Sequence, residues 1–206
     1  MSHLHSLLSH HKIISDQVDA QELSVIITTV EKRLSEQAGV IVEFGCYQGT
    51  TSLFLERLRA KLAPLHPLHV YDSFLGLPAK TAPDISPVGE QFKIGELLAT
   101  KRQLADNFKK AGLKQPVIHG GWFSDLQSED IPSNIAVAFL DGDYYESIMT
   151  PLKLIWPQLQ PGAIVIVDDY QNEALPGASR AVDEWLKNHQ AALKIEASLA
   201  ILTLPK

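Results

Sequence analysis

Residues 135–170 read IAVAFLDGDYYESIMTPLKLIWPQLQPGAIVIVDDY, and this stretch decides the fold. One apolar run ends in Asp141-Gly142-Asp143 and a second ends in Asp168-Asp169. Runs rich in Val and Ile, without polar alternation, suit strands buried on both faces, the environment of a parallel sheet. Parallel neighbours need a crossover, and the helical stretch between the runs supplies one. Such strands lie ~4.8 Å apart and point the same way, so Asp141 and the Asp168-Asp169 pair emerge side by side at the carboxyl edge. Ligands of open α/β sheets bind at that edge. Two carboxylates ~4 Å apart repel by ~4 kcal/mol at an effective dielectric near 20, so the group must protonate, spread or hold a cation. An all-oxygen set of Asp141, Asp168 and Asp169, with no His or Cys beside it, favours a hard ion, Mg²⁺ first and Mn²⁺ or Ca²⁺ behind it. Asp143 reads two ways, as a cap for the next helix or as a side chain of the site.

Upstream, Gly39 to Phe44 forms the first strand and runs into Gly45-Cys46-Tyr47-Gln48-Gly49-Thr50-Thr51-Ser52, ahead of a helix expected over Leu53 to Leu62. The glycines permit a tight turn and close approach of a ligand, and the hydroxyl cluster can cap the helix. The spacing E-x-G-x-x-x-G from Glu43 lacks the second-position glycine of a dinucleotide fingerprint and points away from a nicotinamide cofactor. It resembles the turn that holds the amino-acid end of the cofactor in S-adenosylmethionine methyltransferases. Glu43, Gly45, Tyr47, Gly49, Thr50 and Ser52 are the cofactor-binding candidates there. The second strand, Pro67 to Tyr71, ends in Asp72, where an acidic side chain at an open strand end would hydrogen-bond ribose hydroxyls, with Ser73 beside it. Residues Ala79 to Ile94 show no periodicity and are expected to form a lid over the site. Helical spacing returns over Gly95 to Gly112, and Pro116 to His119 is a third strand. Trp122 and Phe123 then face either an adenine ring or the core. Asp141 is a candidate for the cofactor-binding set as well as for the metal set.

With 206 residues and 45% hydrophobic content, the chain can bury on the order of 70% of its unfolded surface as one domain. That domain is expected over residues 16–206, behind an N-terminal segment 1–15 whose His3, His5, His10 and His11 sit in a poorly ordered stretch without assigned function. Asp16 to Glu36 reads as an amphipathic helix packed on the sheet or on a subunit partner, which leaves a homodimer open. Ala178 to Asn188 is a further helix, and Leu193 to Glu196 and Leu199 to Leu204 close the chain as an antiparallel pair. The fold is therefore α/β, a doubly wound, mostly parallel seven-stranded, Rossmann-like sheet with an antiparallel late edge. The single cysteine, Cys46, excludes an internal disulfide and suits a cytoplasmic setting. No apolar run approaches the ~18 residues of a membrane span, and no leader pattern opens the chain. A net charge of −6 with scattered basic residues argues against a nucleic-acid partner.

The segments Asp72-Ser73-Phe74-Leu75-Gly76-Leu77-Pro78, Gly121-Trp122-Phe123, Leu140-Asp141-Gly142-Asp143-Tyr144-Tyr145-Glu146-Ser147, Pro161-Gly162, Asp168-Asp169-Tyr170 and Arg180-Ala181-Val182-Asp183-Glu184 together resemble the macrocin O-methyltransferase family, over roughly Val40 to Leu186. The resemblance implies a class I methyltransferase that uses S-adenosyl-L-methionine and Mg²⁺ to methylate a sugar hydroxyl of a small natural product. By the same resemblance Asp141, Asp168 and Asp169 are the metal ligands and Asp143 is the base. Leu75 and Ala178 stand where glutamate and cysteine are usual, which bears on the acceptor more than on the chemistry. Two alternatives share this fold: a catechol-type O-methyltransferase, whose usual Asp-Asn ligand pair is here Asp168-Asp169, and a non-catalytic S-adenosylmethionine-binding protein.

Overall fold

A computed structural model describes residues 3–89 and 91–206. Seven strands, β1 (Val40–Phe44), β2 (Leu68–Asp72), β3 (Val117–Gly120), β4 (Ile135–Leu140), β5 (Leu159–Val167), β6 (Ala192–Glu196) and β7 (Leu199–Thr203), form one sheet in the order β3-β2-β1-β4-β5-β7-β6. The first five are parallel, and β7 runs antiparallel between β5 and β6. The chain winds outward from β1 through β2 to β3, then returns to the other side of β1 with β4, so the order reverses between β1 and β4. That reversal is where open α/β sheets take their ligands.

Among the described residues six α-helices accompany the sheet: α1 (His3–His10), α2 (Ala20–Glu36), α3 (Thr50–Leu62), α4 (Lys101–Lys110), α5 (Tyr145–Ile155) and α6 (Pro176–Leu186). Successive strand residues point to opposite faces. Ile41, Val70, Val137 and Phe139 accordingly meet α2, α3 and α4, whereas Val42, Phe44, Ala138 and Leu140 meet α5 and α6. Both faces are covered, which is why β1 and β4 are buried at every position and show no polar alternation. Truncating one of these fully buried Leu or Ile side chains to Ala would cost ~2–5 kcal/mol.

Several element boundaries differ from those expected. The second helix starts at Ala20, not Asp16, because Asp19 Oδ1 accepts from the Gln21 and Glu22 backbone N–H groups at 2.7 and 3.1 Å and stops the helix there. Helix α3 starts at Thr50, so the hydroxyl cluster lies within its first turn and does not cap it; the cap position is Gly49, at φ 86°. Helix α4 starts at Lys101, where Thr100 and Gln103 form a reciprocal capping box. Residues 95–99 stay in the preceding loop because Leu77 and the Gly95-Glu96 backbone bond each other at 2.9 Å. Helix α6 ends at Leu186, short of Asn188. Within the N-terminal segment, α1 is helical, and Leu7, Leu8 and Ile13 pack against the core.

Candidate active site

A cavity of about 650 Å³ opens over the carboxyl ends of β1, β2, β4 and β5. Its floor is the turn after β1. Gly45 adopts φ 85°, and a Cβ there would stand 1.8 Å from the Asp141 carbonyl oxygen, so only glycine lets this turn press against the end of β4. Asp72 reaches across from β2: its Oδ2 accepts from Cys46 N at 2.9 Å and Tyr47 N at 3.2 Å, and its Oδ1 from Phe74 N at 2.8 Å. This corrects the expectation of an open strand end, because the carboxylate is engaged by three backbone donors and fixes the glycine turn.

Glu43 lies beneath that turn, 1% exposed, with the Ser52 hydroxyl donating to its Oε2. Burial, opposed by the Ser52 bond and reinforced by Asp72, pushes its carboxyl up to about 8. Thr50 Oγ1 is buried on the cavity wall and has no hydrogen-bond partner among the described residues. Trp122 and Phe123 both line the cavity, and Phe123 also packs edge-on against Phe44 with centroids 5.4 Å apart. Phe123 thus touches the core as well as the cavity. All the cofactor-binding candidates but Gly49 and Ser52 line the space; those two support it, as a Cβ at Gly49 would meet Leu104 and Ser52 holds Glu43.

On the other side stand Asp141, Asp143, Asp168 and Asp169. Burial first, and then one another's charge, holds the carboxyls of Asp141, Asp143 and Asp168 well above the usual range; burial also raises Asp169, against a bond from Asn172. Asp168 Oδ1 turns back to accept from Asp169 N at 2.9 Å, and Asp169 Oδ1 accepts from Asn172 Nδ2 at 2.8 Å. Among the described residues, no three His, Cys, Asp or Glu side chains are gathered tightly enough to form a ready-made metal cage. The donor chemistry nonetheless suits a hard cation, since the side chains offer only oxygens and raise one another's carboxyls by their charge. Asp143 and Asp169 both hold left-handed backbone, at φ 63° and 57°, which is uncommon outside glycine and clusters at functional sites.

Asp143 is not the cap of α5. The first free amide of that helix, Tyr145 N, donates to Asp84 Oδ1 at 2.7 Å, while the Asp143 carboxylate accepts no hydrogen bond among the described residues and faces the cavity. The loop after β2 forms the roof. Leu77, Phe92 and Leu97 pack with Tyr144 and Leu175 in a small separate core. Ser15, Asp16, Asp19 and Glu22 supply a further wall, which sequence reasoning missed; the only signal was an aspartate just ahead of the helix. The charged side chains lining the cavity are all acidic, with no Lys, Arg or His among the described residues.

The strand order, the reversal beside β1 and a glycine turn over its end define the class I methyltransferase fold. Solved structures agree: the O-methyltransferase NovP superposes with a TM-score of 0.75 at 24% identity, covering 90% of this chain and 80% of that one. The calicheamicin methyltransferase CalS11 gives 0.74 at 23% identity, over 98% and 90%. The chain belongs to the macrocin-O-methyltransferase (TylF) family, whose model matches residues 13–200. It is 35% identical to the 8-demethyl-8-(2,3-dimethoxy-alpha-L-rhamnosyl)-tetracenomycin-C 4'-O-methyltransferase of Streptomyces olivaceus over 143 residues, 66% of this chain and 54% of that protein. It is 30% identical to the mycinamicin III 3''-O-methyltransferase of Micromonospora griseorubida over 162 residues, 73% of this chain and 61% of that protein. The chain thus spans 54% and 61% of the length of these relatives. Among the described residues, no helix is long and apolar enough to cross a membrane.

Proposed function

We propose that the protein is an S-adenosylmethionine-dependent O-methyltransferase that acts, with a divalent cation, on a sugar hydroxyl of a small natural product. The observation that carries this reading is the cavity at the carboxyl edge whose charged lining is wholly acidic, with Asp143 facing it unbonded. Such a lining favours a cofactor that bears a sulfonium and an ammonium, and a hard metal ion. It disfavours anionic acceptors. Membership of the family and the names of its relatives support the sugar-hydroxyl acceptor.

The residue types at the site suit both groups. Glu43 and the orphaned Thr50 hydroxyl would offer an acceptor and a donor to the amino-acid end of the cofactor, and Asp72, which braces the turn, would meet the ribose. Asp141, Asp168 and Asp169 would hold the cation. When bound, the cofactor supplies an electrophilic methyl group and the cation acidifies and orients a hydroxyl. Asp143, which faces the cavity without a hydrogen-bond partner among the described residues, would take the hydroxyl proton. The roof over 79–94 serves as a lid that excludes water from the reacting atoms.

Calorimetry with S-adenosylmethionine, followed by turnover assays on glycosides with Mg²⁺ and with chelator, tests the proposal. Saturable cofactor binding and metal-dependent methylation of a sugar hydroxyl are expected. Absence of cofactor binding would overturn it.

A further inference from the structure

The loop after β2 is fastened to the site by one aspartate. Asp84 is 2% exposed, although it lies in a loop between Pro83 and Ile85. Its Oδ2 accepts from the Thr81 backbone N–H at 2.8 Å and from the Thr81 hydroxyl at 2.6 Å, closing a single helical turn. Its Oδ1 accepts from Tyr145 N at 2.7 Å, at the head of α5. Gly177, in the first turn of α6, leaves room for this carboxylate: a Cβ there would stand 2.0 Å from Asp84 Oδ1. Arg180 of α6 donates to Pro83 O, and Ser86 Oγ donates to Glu173 O at 2.7 Å. Three crossover loops, those after β2, β4 and β5, therefore converge on one buried carboxylate.

The bond to Tyr145 N bears directly on Asp143, two residues earlier. In this chain, polar side chains repeatedly take the backbone N–H two places on: Asp72 bonds Phe74 N at 2.8 Å and Asn172 bonds Ala174 N at 3.0 Å. An aspartate just before a helix has the same option, and its carboxylate is then consumed as a local acceptor. At Asp143 that option is pre-empted, because the amide it would bond already donates to Asp84. We infer that Asp84 is a positioning residue: by capping α5 from the neighbouring loop, it keeps the Asp143 carboxylate out of the cap and directed into the cavity. The inference rests on the reading of Asp143 as the base.

The test compares Asp84→Ala and Asp84→Asn, each with wild-type Asp143 and with Asp143→Asn. Loss of the Asp84 oxygens frees Tyr145 N for Asp143, so Asp84→Ala should lower kcat on the order of ten-fold or more while leaving KM for the acceptor and affinity for S-adenosylmethionine unchanged. Asparagine offers an oxygen to Tyr145 N, so Asp84→Asn should restore most of the lost kcat. In the Asp143→Asn background, Asp84→Ala should have no further effect on kcat. If Asp84→Ala does not accumulate as folded protein, Asp84→Ser makes the same comparison, since its shorter side chain keeps a polar group near Thr81 but no longer reaches Tyr145 N. Wild-type kcat in Asp84→Ala, or an equal proportional loss with and without Asp143→Asn, overturns the inference. Full turnover in Asp143→Asn alone is a separate outcome that removes the assignment of Asp143 itself, and the inference with it.

Discussion

The Ser52 hydroxyl donates to Glu43 Oε2 directly beneath the turn that joins β1 to α3, and no lysine, arginine or histidine lines the cavity on its other side among the described residues. A buried carboxyl held up to about 8 has a definite consequence for stability. Its folded pKa exceeds the unfolded value of 4.5, so the stability linked to it is fully present below about 4.5 and is lost as pH rises to about 8. The loss is of the order of a few kcal/mol. Thermal melts across that window should show a falling Tm, and Glu43→Gln should flatten this contribution while weakening cofactor binding. An unchanged pH slope in Glu43→Gln would mean that Glu43 is ionised in the folded protein.

Asp72 should matter to stability and to the cofactor together. Its three backbone donors would be left without their acceptor in Asp72→Ala, a loss of about 1–3 kcal/mol in melts. Weaker S-adenosylmethionine binding by calorimetry should accompany it. Asp72→Asn, which keeps one acceptor oxygen, should fall between the two. A variant with wild-type Tm and wild-type affinity would show that the turn holds without this residue.

The aspartates of β4 and β5 make opposite demands with and without a cation. Asp168→Asn removes one repelling charge, so in chelator it should melt above wild type. With Mg²⁺ the order should reverse, because wild type gains stability by binding the ion and the variant gains less. Chelator should abolish wild-type turnover and Mg²⁺ should restore it. A wild-type melt that is indifferent to Mg²⁺, together with full turnover in chelator, would exclude the metal from the mechanism.

Asp143→Asn and Asp143→Ser should lower kcat by roughly 10²–10⁴ without loss of Tm. Neither removes a helix cap, since Asp84 provides it, and asparagine tolerates the left-handed backbone at this position well. Retained turnover in both variants would assign Asp143 a conformational role only.

The loop after β2 should exchange unevenly with deuterium. Residues 81–86 are bonded to α5, α6 and the β5–α6 connection, whereas Val88 and Ile94 are exposed. Protection of 81–86 in the free protein, with protection near Val88 and Ile94 gained only on adding cofactor and acceptor, is expected of a lid hinged at its anchored half. Uniform strong protection throughout would describe a fixed roof.

The sheet was legible because burial on both faces removes alternation from β1, β4 and β5, and carboxylates stand where those strands end. Asp141 and Asp168 were legible for that reason, Asp72 because it closes β2, and Glu43 through its spacing to Gly45 and Gly49. The start of α4 was not legible: Leu97 sits at helical spacing, yet it holds φ 55° and serves the small core beneath the roof. Pattern alone does not separate those two uses of an apolar residue. The wall from Ser15 to Glu22 was missed because its side chains reach the cavity through tertiary packing and carry no motif. Asp84 was invisible for a sharper reason, since its partner lies in another crossover.

Asp84 and Tyr145 are 61 positions apart, so the helix that follows β4 cannot complete its own first turn from local sequence. Its N-cap residue, Tyr144, contributes no side-chain cap, and the amide waits for a loop made much earlier in the chain. Closing a contact of that span requires β1, β2 and β4 to be aligned already, because the loop entropy is recovered only once the sheet brings the ends together. Refolding should therefore show the cap among the last events, after the sheet is in place. The Asp143 carboxylate would be released from local capping only when the architecture around it is complete.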